Sequence, residues 1–212
     1  MSSELQPIDV GNPLDNTKSS VFTQTGDKNM QVAHANSVNN INYNIIVPTA
    51  NRMPCTPAFH SGVRLNTDYY NLFVIGNESF DSGHFIVPKN RALTESIDRE
   101  IAVRFAGLSD EAIEQIKTFP SLFASENHVY GRTDDGHYAG FGFVTDVKIQ
   151  ENGIKIYFCT VSSFPQQRLN ELAFNLALGR ASSFNELDRT HWTIKRINLL
   201  EELSTVGIRP LG

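Results

Sequence analysis

The chain has few cysteines and no long apolar run, and both shortages restrict what it can be. Two cysteines, Cys55 and Cys159, cannot form a Cys-rich zinc site or the disulfide framework of a small secreted domain. No apolar stretch reaches the roughly 20 residues that a membrane-spanning helix needs. The first residues are polar and lack the basic and apolar blocks of a signal peptide. The sequence therefore predicts a cytoplasmic protein without a membrane partner.

Positive charge is also in short supply. The 18 basic and 23 acidic residues give a formal net charge of −5. Proteins that bind nucleic acids usually concentrate Lys and Arg, because phosphate contacts supply most of their affinity. The charge therefore argues against long nucleic acids as partners, whereas a single small nucleotide is compatible with it.

The sequence lacks the familiar motifs of catalysis and cofactor binding. It contains no Gly-x-x-x-x-Gly-Lys-Ser/Thr and no Gly-x-Gly-x-x-Gly after a predicted strand. It also contains no Gly-x-Ser-x-Gly and no His-Glu-x-x-His, and its six histidines are scattered. These absences favour a protein that is not an enzyme. They predict no metal site and leave the cofactor unknown.

What the sequence does contain falls into two parts. Residues 1–58 have few large apolar side chains and predict a flexible, Asn-rich arm and linker. Residues 59–212 contain most of the Phe, Ile and Leu and predict one globular domain.

Hydrophobic periodicity predicts a mixture of strands and helices in the second part. Strands are predicted at 69–75, 84–87, 138–149, 154–161 and 191–195, and helices at 94–105, 109–118, 165–179 and 198–203. The dipeptide Asn152-Gly153 predicts a hairpin with a type I′ turn, because it tolerates the positive φ angles of that turn. We expect an α+β fold with a small mixed or antiparallel sheet, or a partial barrel, flanked by helices.

One polar concentration could perform chemistry. Its candidate residues are Glu126, His128, Asp134, Asp135 and His137. Such side chains can bind a divalent metal ion or exchange protons, as a hydrolase acting on a nucleotide or nucleic acid would require. A solvated loop with an Asp-Asp-Gly turn explains them equally simply and is favoured. The hydrolase hypothesis requires that the five side chains meet in one concave pocket.

A second concentration surrounds the only tryptophan of the chain. Its candidate binding residues are Arg189, His191, Trp192 and Lys195. An aromatic ring between cations can stack on a base, which would suit a small nucleotide-binding module. Alternatively, Trp192 is a core anchor whose indole N–H has a single partner. The core interpretation is favoured, and the stacking interpretation stays open.

Three stretches of the domain resemble a known family. Residues 119–131, 140–158 and 187–195 are similar to a poorly characterised bacterial domain of prokaryotic conflict (antiphage-type) systems. The resemblance covers roughly residues 85–205, and Arg-Thr-His-Trp at 189–192 is its most specific piece. It implies a protein that accompanies effector modules, and it implies no catalytic residues.

Residues 21–45 are similar to bacterial amyloid-signalling or homotypic interaction motifs. The residues that carry this similarity are Gln24, Gly26, Asn29, Gln31, Val38 and Ile41. Stacked identical strands align Asn and Gln into ladders and apolar side chains into a dry strip, and no proline interrupts 21–47. The similarity implies that the arm pairs with copies of itself or with a partner. A disordered tether is the alternative.

Together these patterns predict a non-catalytic interaction or sensor component of a multi-component bacterial defence system. Its partners would be proteins encoded in the same operon, or further copies of the chain. The alternatives are a metal-dependent hydrolase and a small nucleotide-binding module.

Overall fold

In the part of the chain that the structure describes, six strands form one mixed sheet, which curls into a half-barrel and is flanked by four α-helices. This computed structural model describes residues 64–76, 80–179 and 184–211. The predicted α+β class is confirmed. The predicted arm, with its interaction residues, and the boundary at residue 58 lie outside the described residues.

The elements have the following bounds. The strands are β1 (Tyr70–Val74), β2 (His84–Val87), β3 (Pro120–Ala124), β4 (Tyr138–Gln150), β5 (Gly153–Pro165) and β6 (His191–Lys195). The α-helices are α1 (Arg99–Phe105), α2 (Asp110–Ile116), α3 (Gln167–Glu171) and α4 (Leu199–Thr205). None of these helices is long and apolar enough to cross a membrane.

β3 lies at the centre of the sheet, and it is the one strand of the sheet that the sequence analysis did not predict. The order is β2-β5-β4-β3-β1-β6, and β1 pairs with β3 in parallel while the other neighbours are antiparallel. Parallel strands end at the same edge of a sheet. The residues after β1 and β3, Ile75 and Ser125, therefore lie at one end of the fold.

Each face of the sheet carries its own apolar core, because successive side chains of a strand point to opposite faces. On one face Phe73, Phe123 and Trp192 pack with residues of α1 and α2. On the other face Tyr70 and Leu72 pack with residues of α3 and α4.

The long hairpin of β4 and β5 bends at two irregularities in its register, one between Phe141 and Gly142. A Cβ on Gly142 would lie 1.8 Å from the carbonyl oxygen of Cys159. The close approach of the β5 backbone at this bulge leaves no room for a side chain at Gly142.

The turn of this hairpin differs from its prediction by one residue. Gly153 already pairs with Gln150, so the loop consists of Glu151 and Asn152. Neither loop residue has the positive φ of a type I′ turn. Gly153 is required for packing instead, since a Cβ there would lie 2.6 Å from the carbonyl oxygen of Val87.

Two predicted helices are shorter in the structure, and residues with left-handed φ angles lie within the predicted range or beside it in both cases. The helix expected from Thr94 begins only after its N-cap Asp98, because Leu93 and Ser96 have φ angles of 56° and 55°. The helix expected over 165–179 is limited to α3, and Ala177 has a φ of 54°.

Candidate functional site

The two polar concentrations of the sequence meet at the end of the sheet where β1 and β3 finish. Asn127, which follows β3, donates from its side-chain amide to Asp188 at 2.8 Å. The backbone N–H of Asn127 donates to the carbonyl of Leu187, also at 2.8 Å. Asp188 belongs to a 3₁₀ helix, Glu186–Asp188. Sequence reasoning treated these segments as separate candidates, whereas the pairing of β1 with both β3 and β6 joins them into one site.

Hydrogen bonds among buried side-chain amides hold this site in one conformation. The side chains of Asn127 and Asn170 donate to each other at 3.0 and 2.9 Å, and Asn185 donates to the same oxygen of Asn170 at 2.8 Å. Asn170 is fully buried and Asn185 is 2% exposed. A satisfied polar network inside a protein rigidifies its surroundings. Sequence reasoning missed these asparagines, although a polar residue beside Leu169 in a predicted helix was the available signal.

Gln166 anchors the start of the loop that follows β3. Its fully buried amide accepts from the N–H of Ser125 at 2.9 Å and donates to the carbonyl of Ser125 at 2.7 Å. This pair of bonds imitates strand pairing. The loop therefore leaves the sheet in a fixed direction.

The carboxylate of Asp188 has a structural role. It accepts hydrogen bonds from the amide of Asn127 at 2.8 Å, from Gly131 N–H at 3.3 Å and from Asn185 N–H at 2.5 Å. The bond from Asn185 closes a capping box on the 3₁₀ helix. Three donors occupy most of the acceptor capacity of a carboxylate.

An exposed apolar surface lies above this polar base. We call Val129, Tyr130 and Phe184 the Tyr130 surface; these side chains are 54%, 70% and 51% exposed. The rings of Tyr130 and Phe184 meet edge to face at 5.6 Å, and the guanidinium of Arg189 lies 5.7 Å from the ring of Phe184. Adjacent exposed aromatic side chains with a neighbouring Arg are typical of protein interfaces.

A cavity of about 350 Å³ opens beside the Tyr130 surface. It is lined by Asn127, His128, Val129, Tyr130 and Asp188. This volume is at the small end of the range for ligand sites. The cavity can hold one side chain of a partner or one small planar ligand.

The five residues of the hydrolase hypothesis are not brought together. Glu126 packs over Gly76, where a Cβ would lie 3.1 Å from its carboxylate. His128 is exposed beside the cavity. Asp134 and His137 approach to 3.9 Å at the far end of the same loop, and Asp135 is exposed there. Within the described ranges no three His, Cys, Asp or Glu side chains could hold a metal ion.

Trp192 is a core residue. It has no exposed surface, its ring stacks on Phe73 at 5.2 Å, and its indole N–H donates to the side chain of Asn71 at 3.3 Å. This is the single partner that the core interpretation predicted. The ring presents no face on which a nucleotide could stack.

His191 and Lys195 surround the carboxylate of Glu186. His191 Nε2 lies 3.2 Å from one carboxylate oxygen, and Lys195 Nζ lies 2.5 Å from the other. His191 is fully buried and Lys195 is 8% exposed. Burial, with the negative charge of Glu186, raises the pKa of the neighbouring Tyr70 hydroxyl, which donates to the carbonyl of Leu176 at 2.6 Å. The group is a buried polar cluster, not an open binding site.

The remaining polar residues of the Arg-Thr-His-Trp region hold a short segment against the sheet. We call residues 92–96 the strap, because they cross the outer edge of β6. The carbonyl of Ser96 accepts from Thr193 Oγ1 at 3.0 Å and from Lys195 Nζ at 2.6 Å. Arg189 lies 2.7 Å from Glu95 and 3.4 Å from Ser96 Oγ. Arg189 and Lys195 thus bind the strap rather than an exposed ligand.

The likeness of this region to a bacterial conflict-system domain stays a prediction. No family model, curated protein or solved structure matches this chain.

The geometry of the site suits recognition better than bond-breaking chemistry. Its buried amides and Asp188 bond to one another, while Val129, Tyr130 and Phe184 are exposed together above them. A catalytic site instead needs acids, bases or nucleophiles that converge on a reacting atom.

Proposed function

We propose that the protein is a non-catalytic interaction component of a multi-component bacterial defence system. The N-terminal arm pairs with itself or with a partner, and the globular domain docks through the Tyr130 surface. The defence role is supported by the resemblance of residues 119–131, 140–158 and 187–195. The role of the arm is supported by its Asn, Gln and apolar pattern.

The observation that carries the docking role is the Tyr130 surface itself. Tyr130 and Phe184 expose 70% and 51% of their surface. The loop that bears Tyr130 is held by buried hydrogen bonds from Gln166 and Asn170. Because that base is rigid, little conformational entropy is lost when a partner covers the rings. Large aromatic side chains on a preorganised base are the usual anchors of an interface.

Co-purification with the proteins encoded on either side in the operon tests this role. We expect Tyr130→Ala and Phe184→Ala each to weaken the complex by at least about tenfold, since truncating an interface anchor costs roughly 2 kcal/mol. Phe174→Ala is the matched control, because Phe174 is 86% exposed and lies outside the Tyr130 surface. Equal binding by all three variants would remove the docking role.

A small planar ligand is a second candidate for the same place. The observation that favours it is the cavity of about 350 Å³ beside Tyr130. Titration of the full chain with mono-, di- and cyclic nucleotides by calorimetry tests it. Binding that Tyr130→Ala abolishes would support this candidate, and the absence of heat would eliminate it. Asp134 and His137 approach each other, but no third candidate residue joins them among the described residues, so the hydrolase alternative has no comparable support.

A further inference from the structure

The strap covers the outer edge of β6 only in part. Leu93 N–H donates to the carbonyl of Trp192 at 2.8 Å. In an antiparallel strand the N–H and C=O of alternate residues face the same side. Those of Ile194 therefore face outward as well, away from β1. Among the described residues nothing pairs with them, and Ile194 is nonetheless fully buried.

The closed strap is a strained arrangement. Leu93 and Ser96 have left-handed φ angles of 56° and 55°, which residues with a side chain rarely adopt. Strain of this kind persists where the surroundings hold it in place, and it collects at switch regions and binding sites. Here side-chain contacts from Thr193, Lys195 and Arg189 to Ser96 and Glu95 keep the strap in its strained conformation.

Opening of the strap would expose both hydrogen-bonding groups and positive charge. Arg189 would lose Glu95 and the hydroxyl of Ser96, and Lys195 would lose the carbonyl of Ser96 while keeping Glu186. A cavity of about 300 Å³ already lies where the strap leaves the edge, lined by Ser96, Ile194 and Lys195 among others. An acidic, extended chain would complement this edge, because its backbone can pair with the exposed hydrogen-bonding groups and its carboxylates can pair with the positive charge.

We propose that the strap is a tethered substitute for an acidic, extended segment of a partner protein. The partner segment pairs as an added strand with Trp192 and Ile194, and its carboxylate takes the place of Glu95 beside Arg189. Strand addition satisfies the N–H and C=O of Ile194, which the strap leaves unpaired. This inference rests on the proposed interaction role, but it uses the edge of β6 instead of the Tyr130 surface.

Amide hydrogen exchange on the full chain tests whether the strap opens. We expect the Ile194 amide to exchange faster than that of Thr193, which faces β1. Thr193→Val removes one bond to the strap and should accelerate the exchange of Ile194 about fivefold. Ser96→Gly relieves the left-handed strain and should slow it severalfold. If Thr193→Val leaves the exchange of Ile194 unchanged, the strap does not open and the proposal fails.

Binding of a synthetic peptide tests whether an acidic, extended segment pairs with the edge of β6. The probe is the blocked hexapeptide Val-Glu-Val-Thr-Val-Glu, with a Lys-for-Glu version and a backbone N-methylated version as controls. We expect only the first to bind saturably, more tightly to Thr193→Val and more weakly to Ser96→Gly. Equal binding of the Lys version, or equal affinity for both protein variants, would overturn the proposal. Self-association of the full chain through β6 would replace the partner by a second copy and also overturn it.

Tyr130→Ala separates this inference from the proposed docking surface. The substitution leaves the strap and its hydrogen bonds untouched, so hexapeptide binding should be unchanged. Loss of operon partners in that variant with retained hexapeptide binding would support both surfaces. Loss of hexapeptide binding in Tyr130→Ala would contradict a separate β6 site.

Discussion

The hydroxyl of Tyr70 shows how a single residue supports the second core. It is the buried donor to the carbonyl of Leu176, 2.6 Å away. Tyr70→Phe leaves that carbonyl without this donor, so we expect a loss of about 1–3 kcal/mol in the free energy of unfolding. Urea unfolding measures it, and Tyr138→Phe is the control because Tyr138 is 42% exposed. Equal stability of both variants would contradict this role.

Tyr70 also makes the stability of the folded chain depend on pH. Burial and the charge of Glu186 raise the pKa of Tyr70 above its ordinary value of 10.0. The folded chain therefore keeps this proton at a pH where the unfolded chain releases it. Wild-type stability should fall as the pH rises above 10.0, and Tyr70→Phe should lack this part of the fall. Parallel stability curves for the two proteins above that pH would contradict the shift.

Trp192 offers an optical test of the core assignment, because it is the only tryptophan of the chain. A fully buried indole is shielded from water and from ionic quenchers. We expect blue-shifted emission that iodide hardly quenches in the native state, and strong quenching in urea. Red-shifted native emission, or efficient quenching, would place the ring at the surface and reopen the stacking interpretation.

At the scale of elements, Gly142 controls the bend of the central hairpin. A methyl group there would collide with the backbone of β5, since a Cβ would lie 1.8 Å from the carbonyl oxygen of Cys159. We expect Gly142→Ala to lower the free energy of unfolding by more than about 3 kcal/mol. Gly136→Ala is the control, because a Cβ on Gly136 meets no atom within 4 Å. A similar melting temperature for both variants would contradict the account of the bend.

Several elements could be predicted from the sequence because each carries a local signal. The strands at 70–74, 84–87 and 191–195 match predicted strands, and α2 lies within the helix predicted at 109–118. β3 was not predicted, because its sequence Pro-Ser-Leu-Phe-Ala begins with a proline and contains no β-branched residue, so it carries little strand signal. Leu93, Ser96 and Ala177 adopt left-handed angles that only their tertiary contacts explain.

At the scale of the whole molecule, the candidate site depends on topology that local patterns do not contain. The sequence showed polar residues at 126–137 and at 186–195 as separate groups. The parallel pairing of β1 with β3 and the antiparallel pairing of β1 with β6 together place Asn127 beside Asp188. The Tyr130 surface gave no sequence signal either, because an exposed Val-Tyr pair in a loop looks ordinary until Phe184 is seen against it.

The proposed function requires contacts with other proteins, and the arm is predicted to provide one of them. The most direct measurement is sedimentation velocity of the full chain, alone and with its co-expressed operon partners. A variant with Val38→Pro and Ile41→Pro loses two backbone donors within the segment that is predicted to stack. Val10→Pro is the control, since Val10 precedes that segment. We predict that the wild-type chain and the control form assemblies that the double variant does not form. Identical sedimentation of all three proteins would contradict the interaction role of the arm.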